Sequence, residues 1–450
     1  MIHHPVLDQL AKSGVRLGLE RVRSFLAFLD EPNKAYPAVH IGGTNGKGST
    51  VAFVTQILID SGYRVGTNYS PHLEAVNERI QINGIPLDDP NLLEAIEGHD
   101  KLRWEWAHQQ RLTGVPLTYF EFVTTLAMAA FAHRGVDVAV FEVGMGGRLD
   151  ATNLVSPVVT AVTSISLDHT EALGDTVAKI AAEKAGIFKR GIPVVMGPMP
   201  TNAREVIEKH GAALGCKVVK PGREMTREYR QGMWTLRGPS GSLRDLKLGL
   251  EGDHQGSNAL VALGIAHQLR QSGFHIPDSA IRSGLENAYI PGRIERLAPG
   301  LVADGCHNEA GAKALARWLD AQPRPSNRIA LLGVSHNRDP NVILKPLLPH
   351  IDEVVTVRCN HPKMSDPTAV AIALEDLDVL LAEGGDIDEI LPEVYREADE
   401  TLVVGSLFLA GAARSIVRNG GIAGIEPGQG PAEDADDGDV DQGEGAEQQA

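Results

Sequence analysis

A glycine-rich segment near the amino terminus constrains the fold of this chain more than any other feature. Residues 40–50 read His-Ile-Gly-Gly-Thr-Asn-Gly-Lys-Gly-Ser-Thr and follow a short apolar stretch. They run into a helical pattern in which residues 51–58 place apolar side chains on one face, and Ser61-Gly62 marks its end. A strand, a glycine-rich turn and a helix start form a phosphate cradle, because the backbone N–H groups point inward and Lys47 adds a positive charge. The segment therefore predicts a protein that uses a nucleoside triphosphate.

This loop departs from the commonest phosphate-loop pattern in two places. Ile41 stands where that pattern has a glycine, and Gly48 follows Lys47 where a Ser or Thr is usual. A glycine-rich turn without a ligand is the alternative, but strand, loop, lysine, hydroxyls and helix all come in the expected order. The residues predicted to bind the nucleotide phosphates are Gly43, Thr44, Asn45, Gly46, Lys47, Gly48, Ser49 and Thr50.

Composition and cysteine usage favour a cytoplasmic enzyme. Of the 450 residues, 43% are hydrophobic and 22% are charged, which is ordinary for a soluble globular enzyme. The three cysteines, Cys216, Cys306 and Cys359, are scattered, which argues against a disulfide framework and for a reducing compartment. The sequence shows no secretory signal, and apolar windows such as residues 123–132 are too short to span a bilayer. We therefore expect no membrane partner.

The acidic net charge is concentrated at the carboxyl terminus. Residues 426–450 contain nine acidic residues and no Lys or Arg, so −7 of the total −16 remains for the rest of the chain. A mildly acidic body does not indicate nucleic-acid binding. The terminal segment is rich in Gly, Ala, Asp, Glu and Gln and is predicted to be a disordered acidic tail.

Alternating strand and helix patterns predict an α/β fold with two units. The first is a P-loop-type, mostly parallel sheet domain, whose further strands are expected at 64–67, 136–143, 158–165 and 193–196. Residues 217–250 read as a small antiparallel excursion, followed by a helix around 258–272.

The second unit begins near Leu297 and is predicted to be a smaller Rossmann-like α/β domain. Its strands are expected at 301–304, 328–334, 353–357 and 401–405. Its helices are expected at 309–319 and 367–375. Residues 290–293, Ile-Pro-Gly-Arg, form a plausible hinge. The predicted domains are therefore 1–292 and 293–425, followed by the tail.

Three polar clusters follow predicted strands of the first unit, at residues 69–72, 142–150 and 168–170. Ligands bind beyond the carboxyl ends of parallel strands, so these clusters are expected to converge on the triphosphate. Glu142 and Ser70 suit Mg²⁺, which prefers oxygen ligands. A carboxylate on an apolar strand needs a cation, whereas His169 by itself is better explained as a hydrogen-bonded histidine.

The motifs of the chain, taken together, resemble the folylpolyglutamate synthase/dihydrofolate synthase family of Mur-ligase-like, ATP-dependent amide ligases. The resemblance extends from about residue 17 to about residue 411. The motifs that carry it are residues 43–49, Ser-Pro-His-Leu at 70–73, residues 142–153, Leu-Asp-His-Thr at 167–170 and Glu-Lys-Ala-Gly-Ile at 183–187.

The resemblance implies roles for four catalytic residues, Lys47, Glu142, His169 and Lys184. Ser70 and Glu142 resemble the ligands of a first Mg²⁺ that bridges the ATP phosphates. Glu142, His169 and Lys184 resemble the set around a second Mg²⁺, with the lysine carbamylated. From the residues alone, Lys184 would be a solvent-facing helix lysine.

Other positions resemble nucleotide or substrate contacts of the family. Asn258 resembles an adenine contact, Arg293 a hinge arginine that reaches the triphosphate, and Asp304 and His307 the nucleotide contacts of the second domain. From the residues alone, Asn258 could instead be a helix cap, Arg293 could form a surface ion pair, and Asp304 could be a turn residue.

The pterin or folate would lie against the first domain. Asp150, Phe120 and Arg79 are the expected contacts, although Phe120 could equally belong to the core at a helix start. The chain departs from the family pattern at Ile290, Cys306, Glu309, Asn337-Arg338-Asp339 and His361-Pro362-Lys363.

The resemblance implies a cytoplasmic, monomeric enzyme with ATP as co-substrate and two Mg²⁺ ions. It would add L-glutamate to dihydropteroate and to the γ-carboxylate of reduced folates through an acyl phosphate. The alternatives are a monofunctional folylpolyglutamate synthase, another Mur-type amino-acid ligase, and a phosphate-loop kinase or ATPase of a different class.

Overall fold

The computed structural model describes residues 4–14, 16–222, 224–239 and 241–422, and the predicted acidic tail lies outside these ranges. The helices are α1 Pro5–Ala11, α2 Glu20–Phe28, α3 Lys47–Asp60, α4 Asp89–Gln109, α5 Tyr119–His133, α6 Thr170–Leu173, α7 Val177–Ala185, α8 Thr201–Ala213, α9 Asp253–Gln271, α10 Asp278–Asn287, α11 Glu309–Asp320, α12 Pro340–Leu344, α13 Pro367–Leu374, α14 Ile387–Glu397 and α15 Leu407–Arg418. The strands are β1 Ala38–Gly42, β2 Val65–Asn68, β3 Gln81–Ile82, β4 Ile85–Pro86, β5 Val138–Glu142, β6 Pro157–Val162, β7 Val194–Met196, β8 Val218–Val219, β9 Thr226–Arg230, β10 Met233–Gly238, β11 Gly241–Leu246, β12 Glu295–Ala298, β13 Leu301–Asp304, β14 Arg328–Leu332, β15 Glu353–Arg358, β16 Leu380–Asp386 and β17 Glu400–Val404.

The first sheet has eight strands in the order β4-β3-β2-β5-β1-β6-β7-β8. The strands β2, β5, β1, β6, β7 and β8 are parallel to their neighbours in this order. At the other end of the sheet, β3 and β4 add a short antiparallel edge. All five residues of β1 and of β5 are buried, because helices cover both faces of the sheet. One face packs on α3, α9 and α10, and the other on helices α1, α2, α4 and α5. The carboxyl ends of β1 and β5 therefore meet at one edge.

The antiparallel excursion is a separate three-stranded sheet in the order β11-β10-β9. The sequence assigned residues 217–219 to this excursion, but Val218–Val219 instead form β8, which pairs in parallel with β7 of the main sheet. The prediction was wrong for this segment because α8 precedes it, and a strand–helix–strand unit returns the chain in parallel to the same sheet.

The second sheet has six strands in the order β12-β13-β17-β14-β15-β16. All its pairings are parallel except that of β12 with β13. The sequence indicated β13, β14, β15 and β17 but not β16, whose residues include Glu383 and two glycines and lack a continuous apolar run. The predicted fold, a large mostly parallel sheet with a second, smaller α/β sheet, is confirmed. The predicted boundary at residues 292 and 293 lies in the connection between α10 and β12.

Candidate active site

The phosphate loop connects β1 to α3. Gly46 has a φ angle of 81°, in the left-handed region that favours glycine, and α3 begins at the next residue, Lys47. A side chain at Gly46 would also overlap the side-chain amide of Asn258 on α9. Lys47 Nζ donates a hydrogen bond to the Thr44 carbonyl oxygen over 3.0 Å, which holds the ammonium above the loop. The loop therefore has the backbone and the charge of an anion cradle, with Asn258 beside it.

Not every amide of this loop is free to bind an anion. The Thr44 N–H donates to the carbonyl oxygen of Ser164 over 2.7 Å, and the Asn45 N–H donates to the Ser164 hydroxyl over 3.2 Å. Ser49 is buried in the first turn of α3, where the first N–H groups of a helix have no partner within it. The Thr50 N–H already donates to the Gly46 carbonyl oxygen over 3.0 Å. The amides available to phosphate are therefore those that begin α3, rather than those of the whole loop.

Lys184 is buried on α7 against the phosphate loop, with 5% of its surface exposed. Its Nζ donates to the carbonyl oxygen of Gly43 over 2.7 Å. Burial, together with the positive charge of Lys47, lowers the pKa of the Lys184 ammonium to about 7. The interpretation of Lys184 as a solvent-facing lysine was wrong, because the face of α7 that carries it packs against the sheet.

Glu142 is the last residue of β5 and is 6% exposed. Its Oε2 accepts a hydrogen bond from the backbone N–H of Ser70 over 3.1 Å, and both carboxylate oxygens lie close to Gly48. Burial raises the pKa of the Glu142 carboxyl, while the charges of Lys47 and Arg293 and the Ser70 N–H oppose that rise. A carboxylate in this position gains stability from any further cation between it and the loop.

Asp168 and His169 lie in the connection between β6 and α6, where they meet a cation from the second domain. Arg338 Nη1 is 2.5 Å from Asp168 Oδ1, and Arg338 Nη2 is 3.4 Å from His169 Nε2. His307 Nε2 of the second domain lies 3.9 Å from Asp168 Oδ2. Burial acts to raise the pKa of the Asp168 carboxyl, but His169 and Arg338 outweigh it and hold the pKa below its usual value. Arg338 was not among the predicted site residues, and the one signal for it in the sequence was the departure from the family pattern at 337–339.

The other predicted nucleotide contacts line the junction of the domains. Asn258 lies inside α9, so its interpretation as a helix cap was wrong, and its Nδ2 donates to Gln255 Oε1 over 2.8 Å. Asp304 does hold a turn, because its carboxylate accepts from the N–H groups of Ile294 and Cys306, each over 2.9 Å. Beside them Asn308 Nδ2 donates to Asn45 Oδ1 over 3.0 Å. The second domain therefore reaches the phosphate loop directly.

The predicted pterin contacts lie beyond the end of β5. A side chain at Gly144 would overlap the Phe120 ring and lie 3.2 Å from Asp150 Oδ2, so these two residues meet at the same point. Asp150 accepts hydrogen bonds from the Met145 N–H over 2.9 Å and from the Thr152 hydroxyl over 2.5 Å. Phe120 is half-buried against the core of the first domain.

Arg79 connects this region to the Ser70 segment. Its guanidinium lies 5.7 Å from the centroid of the Tyr119 ring. Its Nε donates to His72 Nδ1 over 2.8 Å, and its Nη1 lies 3.4 Å from Ser70 Oγ.

Within the described ranges, no group of three or more His, Cys, Asp and Glu side chains is arranged to hold a metal ion. The described helices also include none that is long and apolar enough to cross a bilayer.

Comparisons with known proteins agree with this architecture. The Mur ligase middle domain family matches residues 104–266, and the dihydrofolate synthetase C-terminal domain family matches residues 295–414. The dihydrofolate synthase/folylpolyglutamate synthase of Mycobacterium tuberculosis is 32% identical over 452 residues, covering 92% of this chain and 93% of that protein. The chain belongs to the dihydrofolate synthase/folylpolyglutamate synthase family. The resemblance seen in the sequence is thereby confirmed.

Solved structures of the family extend the match to three dimensions. The Mycobacterium tuberculosis folylpolyglutamate synthase complexed with ADP and AMPPCP has a TM-score of 0.84 and 31% identity, over 94% of this chain and 98% of that one. The bifunctional folylpolyglutamate synthase/dihydrofolate synthase of Yersinia pestis, complexed with AMPPNP and a Mn ion, has a TM-score of 0.80 and 30% identity. The match covers 92% of this chain and 96% of that one. Some relatives are longer, since the chain spans about half (49%) of a probable bifunctional folylpolyglutamate synthase/dihydropteroate synthase of Haloferax volcanii.

Proposed function

We propose that this chain is an ATP-dependent ligase that adds L-glutamate to dihydropteroate and then to the γ-carboxylate of reduced folates. The observation that carries the proposal is the convergence of side chains at the carboxyl edge of the first sheet. There Lys47 lies between the charges of Glu142 and Lys184. Beside them Asp168 pairs with His307 and Arg338 of the second domain. Relatives with this activity in their names, which match nearly the whole chain, support it.

Lys47 and the amides that begin α3 are proposed to bind the β- and γ-phosphates of ATP. Asn258, beside Gly46, is proposed to contact the adenine, and Arg293, Asp304 and His307 to complete the nucleotide site from the hinge and the second domain. Burial raises the pKa of the Glu142 carboxyl, and the charges of Lys47 and Arg293 lower it. The presence of these cations around Glu142 supports the proposal that the ATP phosphates bind beside it.

The side chains present suit divalent cations that share their ligands with phosphate. We propose that Ser70 and Glu142 hold one Mg²⁺, and that Glu142, His169 and a carbamylated Lys184 hold a second. Carbon dioxide reacts with a neutral amine, and a pKa of about 7 leaves a large neutral fraction of Lys184 at neutral pH. Bound Mg²⁺ would neutralise charge on the transferring phosphoryl group. Because the protein supplies few carboxylates here, phosphate oxygens and water would complete each site.

The chemistry follows from the poor reactivity of a carboxylate toward an amine. A substrate carboxylate oxygen attacks the γ-phosphorus of ATP, the bond to the ADP oxygen breaks, and an acyl phosphate forms. The uncharged amine of glutamate then attacks the acyl carbon, phosphate leaves with its electron pair, and the amine gives up a proton. Positioning and charge neutralisation by Lys47 and the loop amides supply most of what phosphoryl transfer needs. The docked second domain would keep water from the acyl phosphate.

The pterin is proposed to bind between Phe120 and Arg79, with Asp150 holding its polar edge. The cluster of Phe120, Gly144 and Asp150 at the end of β5 supports this location. We also propose a monomer in the cytoplasm, with an ATP-binding domain over 1–292 and a glutamate-ligase domain over 293–425. Three free cysteines, two of them buried, suit a reducing compartment.

Mass spectrometry of the products tests the proposal. The purified protein is incubated with MgATP, L-glutamate and either dihydropteroate or tetrahydrofolate. A mass gain of one glutamate on both substrates, with ADP released in equal amount, is the expected result. Extension of tetrahydrofolate alone would support the monofunctional alternative. ADP release without any amide product would support a kinase or ATPase and overturn the proposal.

A further inference from the structure

A segment of the connection between β2 and β3, residues 70–78, belongs to the first domain but packs against the second. We call it the β2–β3 loop. Its Leu73 is 9% exposed and lies in the hydrophobic core of the second domain, together with Leu301 and Leu409. The loop begins at Ser70, the residue proposed above as a metal ligand. A displacement of the second domain must therefore act on the segment that carries Ser70.

Helix α15 of the second domain packs against this loop. Gly411 faces it so closely that a side chain there would overlap the carbonyl oxygen of Leu73. One turn further along, Arg414 Nη1 forms an ion pair with Glu74 of the loop, while its Nε donates to Glu295 Oε1 of β12 over 3.0 Å. The side chains of Arg414 and Glu74 are 17% and 19% exposed, so solvent screens the pair only in part.

The loop is stiff enough to transmit a displacement. The Glu78 carboxylate accepts three backbone hydrogen bonds, from the N–H groups of Leu73 over 2.6 Å, Glu74 over 2.8 Å and Ala75 over 2.7 Å. At the other end of the loop, the Ser70 N–H donates to the Glu142 carboxylate. Arg79, next to Glu78, donates to His72 Nδ1 and lies 3.4 Å from Ser70 Oγ, so hydrogen bonds join the segment held by Glu78 back to Ser70 and Glu142.

We propose that α15 is a positioning element for the metal–nucleotide site. Arg414 and Gly411 hold the β2–β3 loop, so that the Ser70 hydroxyl lies in the right place beside Glu142 only when the second domain is docked. Mg²⁺ requires near-ideal octahedral geometry, so a small displacement of one ligand weakens its binding. The inference rests on the proposed function, because it takes Ser70 as a ligand of the metal that accompanies ATP. Arg414 touches neither substrate nor metal and acts through the loop.

Equilibrium binding of AMPPNP, measured by calorimetry with Mg²⁺ and with EDTA in its place, tests this inference on the full chain. For Arg414→Met, affinity in the presence of Mg²⁺ is expected to fall about fivefold, because the change removes the partly exposed pairs with Glu74 and Glu295 together. Affinity in EDTA is expected to stay unchanged, since the phosphate loop is untouched. A general loss of structure would instead lower both affinities.

Three further variants make the result specific. Glu74→Gln is expected to reproduce part of the effect. The double variant should lose less than the sum of the two single changes, because both remove the Arg414–Glu74 pair, while Arg414 also binds Glu295 and Glu74 also lies 3.7 Å from Arg418. Gly411→Ala leaves the charges intact but displaces the loop, so it too should lower only the Mg²⁺-dependent affinity. The matched control is Arg396→Met on α14, which removes an exposed arginine of the same domain whose Nε donates to the Pro392 carbonyl oxygen within the same helix.

The outcomes separate the inference from the proposed function. If AMPPNP binding by the unaltered protein does not respond to Mg²⁺, the proposed metal site itself fails. If the unaltered protein responds and both Arg414→Met and Gly411→Ala respond to the same extent, α15 does not position the site and the inference is overturned.

Discussion

The two sides of the proposed site are built in different ways. On the first-domain side, Lys47 and Glu142 stand directly at strand or helix ends, where the parallel sheet itself fixes their positions. On the second-domain side, the contacts depend on how two domains meet. Arg338 lies 170 residues from its partner Asp168, and Arg414 lies 340 residues from Glu74.

This difference teaches where control of the reaction would reside. A charge fixed by the sheet is present whether or not the second domain is docked. A charge delivered by the second domain is present only in the docked arrangement, and it therefore links docking to chemistry. Loss of a first-domain group should abolish turnover, whereas loss of a second-domain group should weaken it.

The largest effect is expected at Glu142. Glu142→Gln keeps the shape but removes the charge that would hold cations against the phosphates, so kcat should fall about 1,000-fold. Steady-state ADP release measures it, with the exposed Glu205→Gln on α8 as the matched control. A kcat within threefold of the unaltered protein would remove Glu142 from the site.

Lys184 should show the next largest effect. Lys184→Met is expected to lower kcat about 100-fold and to abolish the carbamate carbon signal in NMR spectra of protein equilibrated with ¹³C-bicarbonate. Lys179→Met, on the same helix but with its side chain 64% exposed, is the matched control and should change neither. A carbamate signal that survives in Lys184→Met would show that another amine carries the modification.

Arg338 tests the second-domain side of the comparison. Arg338→Met should lower kcat about tenfold, the equivalent of one charge-assisted hydrogen bond, and Arg338→Lys should recover much of the loss. If Arg338→Met instead costs as much as Glu142→Gln, the distinction between fixed and delivered charges breaks down.

The sequence carried more information about the first side than about the second. Strand ends and the glycine-rich loop are local patterns, so the positions of Glu142 and Lys47 followed from the chain order. Lys184 was different, because nothing in its helical pattern distinguished a buried face from an exposed one, and the family resemblance alone indicated it.

The contacts of the second domain could not be read from local patterns. Arg338 meets Asp168, and α15 meets Leu73, only after two sheets have formed and docked. The prediction for residues 217–219 was wrong for a related reason. The two-residue strand Val218–Val219 takes its direction from the sheet with which it pairs. Periodicity describes one element, whereas these positions depend on which elements become neighbours.

The smallest expected effect is on stability near neutral pH, and it extends the comparison to the interiors of the domains. The first domain buries His40 and His99, and burial lowers the pKa of each to about 3. Both domains also hold a buried arginine in an ion pair, Arg103 with Asp100 in the first and Arg328 with Glu400 in the second.

Folding thus keeps these two histidines unprotonated, whereas the unfolded chain takes up protons below pH 6.5. The free energy of unfolding should therefore fall as the pH drops below 6.5, and continue to fall until about 3. Between pH 7 and pH 6 each histidine should contribute less than about 1 kcal/mol. Urea unfolding at both pH values measures this change. It should shrink in His99→Gln but not in His108→Gln, which alters an exposed histidine on the same helix. An equal pH dependence in both variants would mean that the interior of the first domain does not govern its sensitivity to acid.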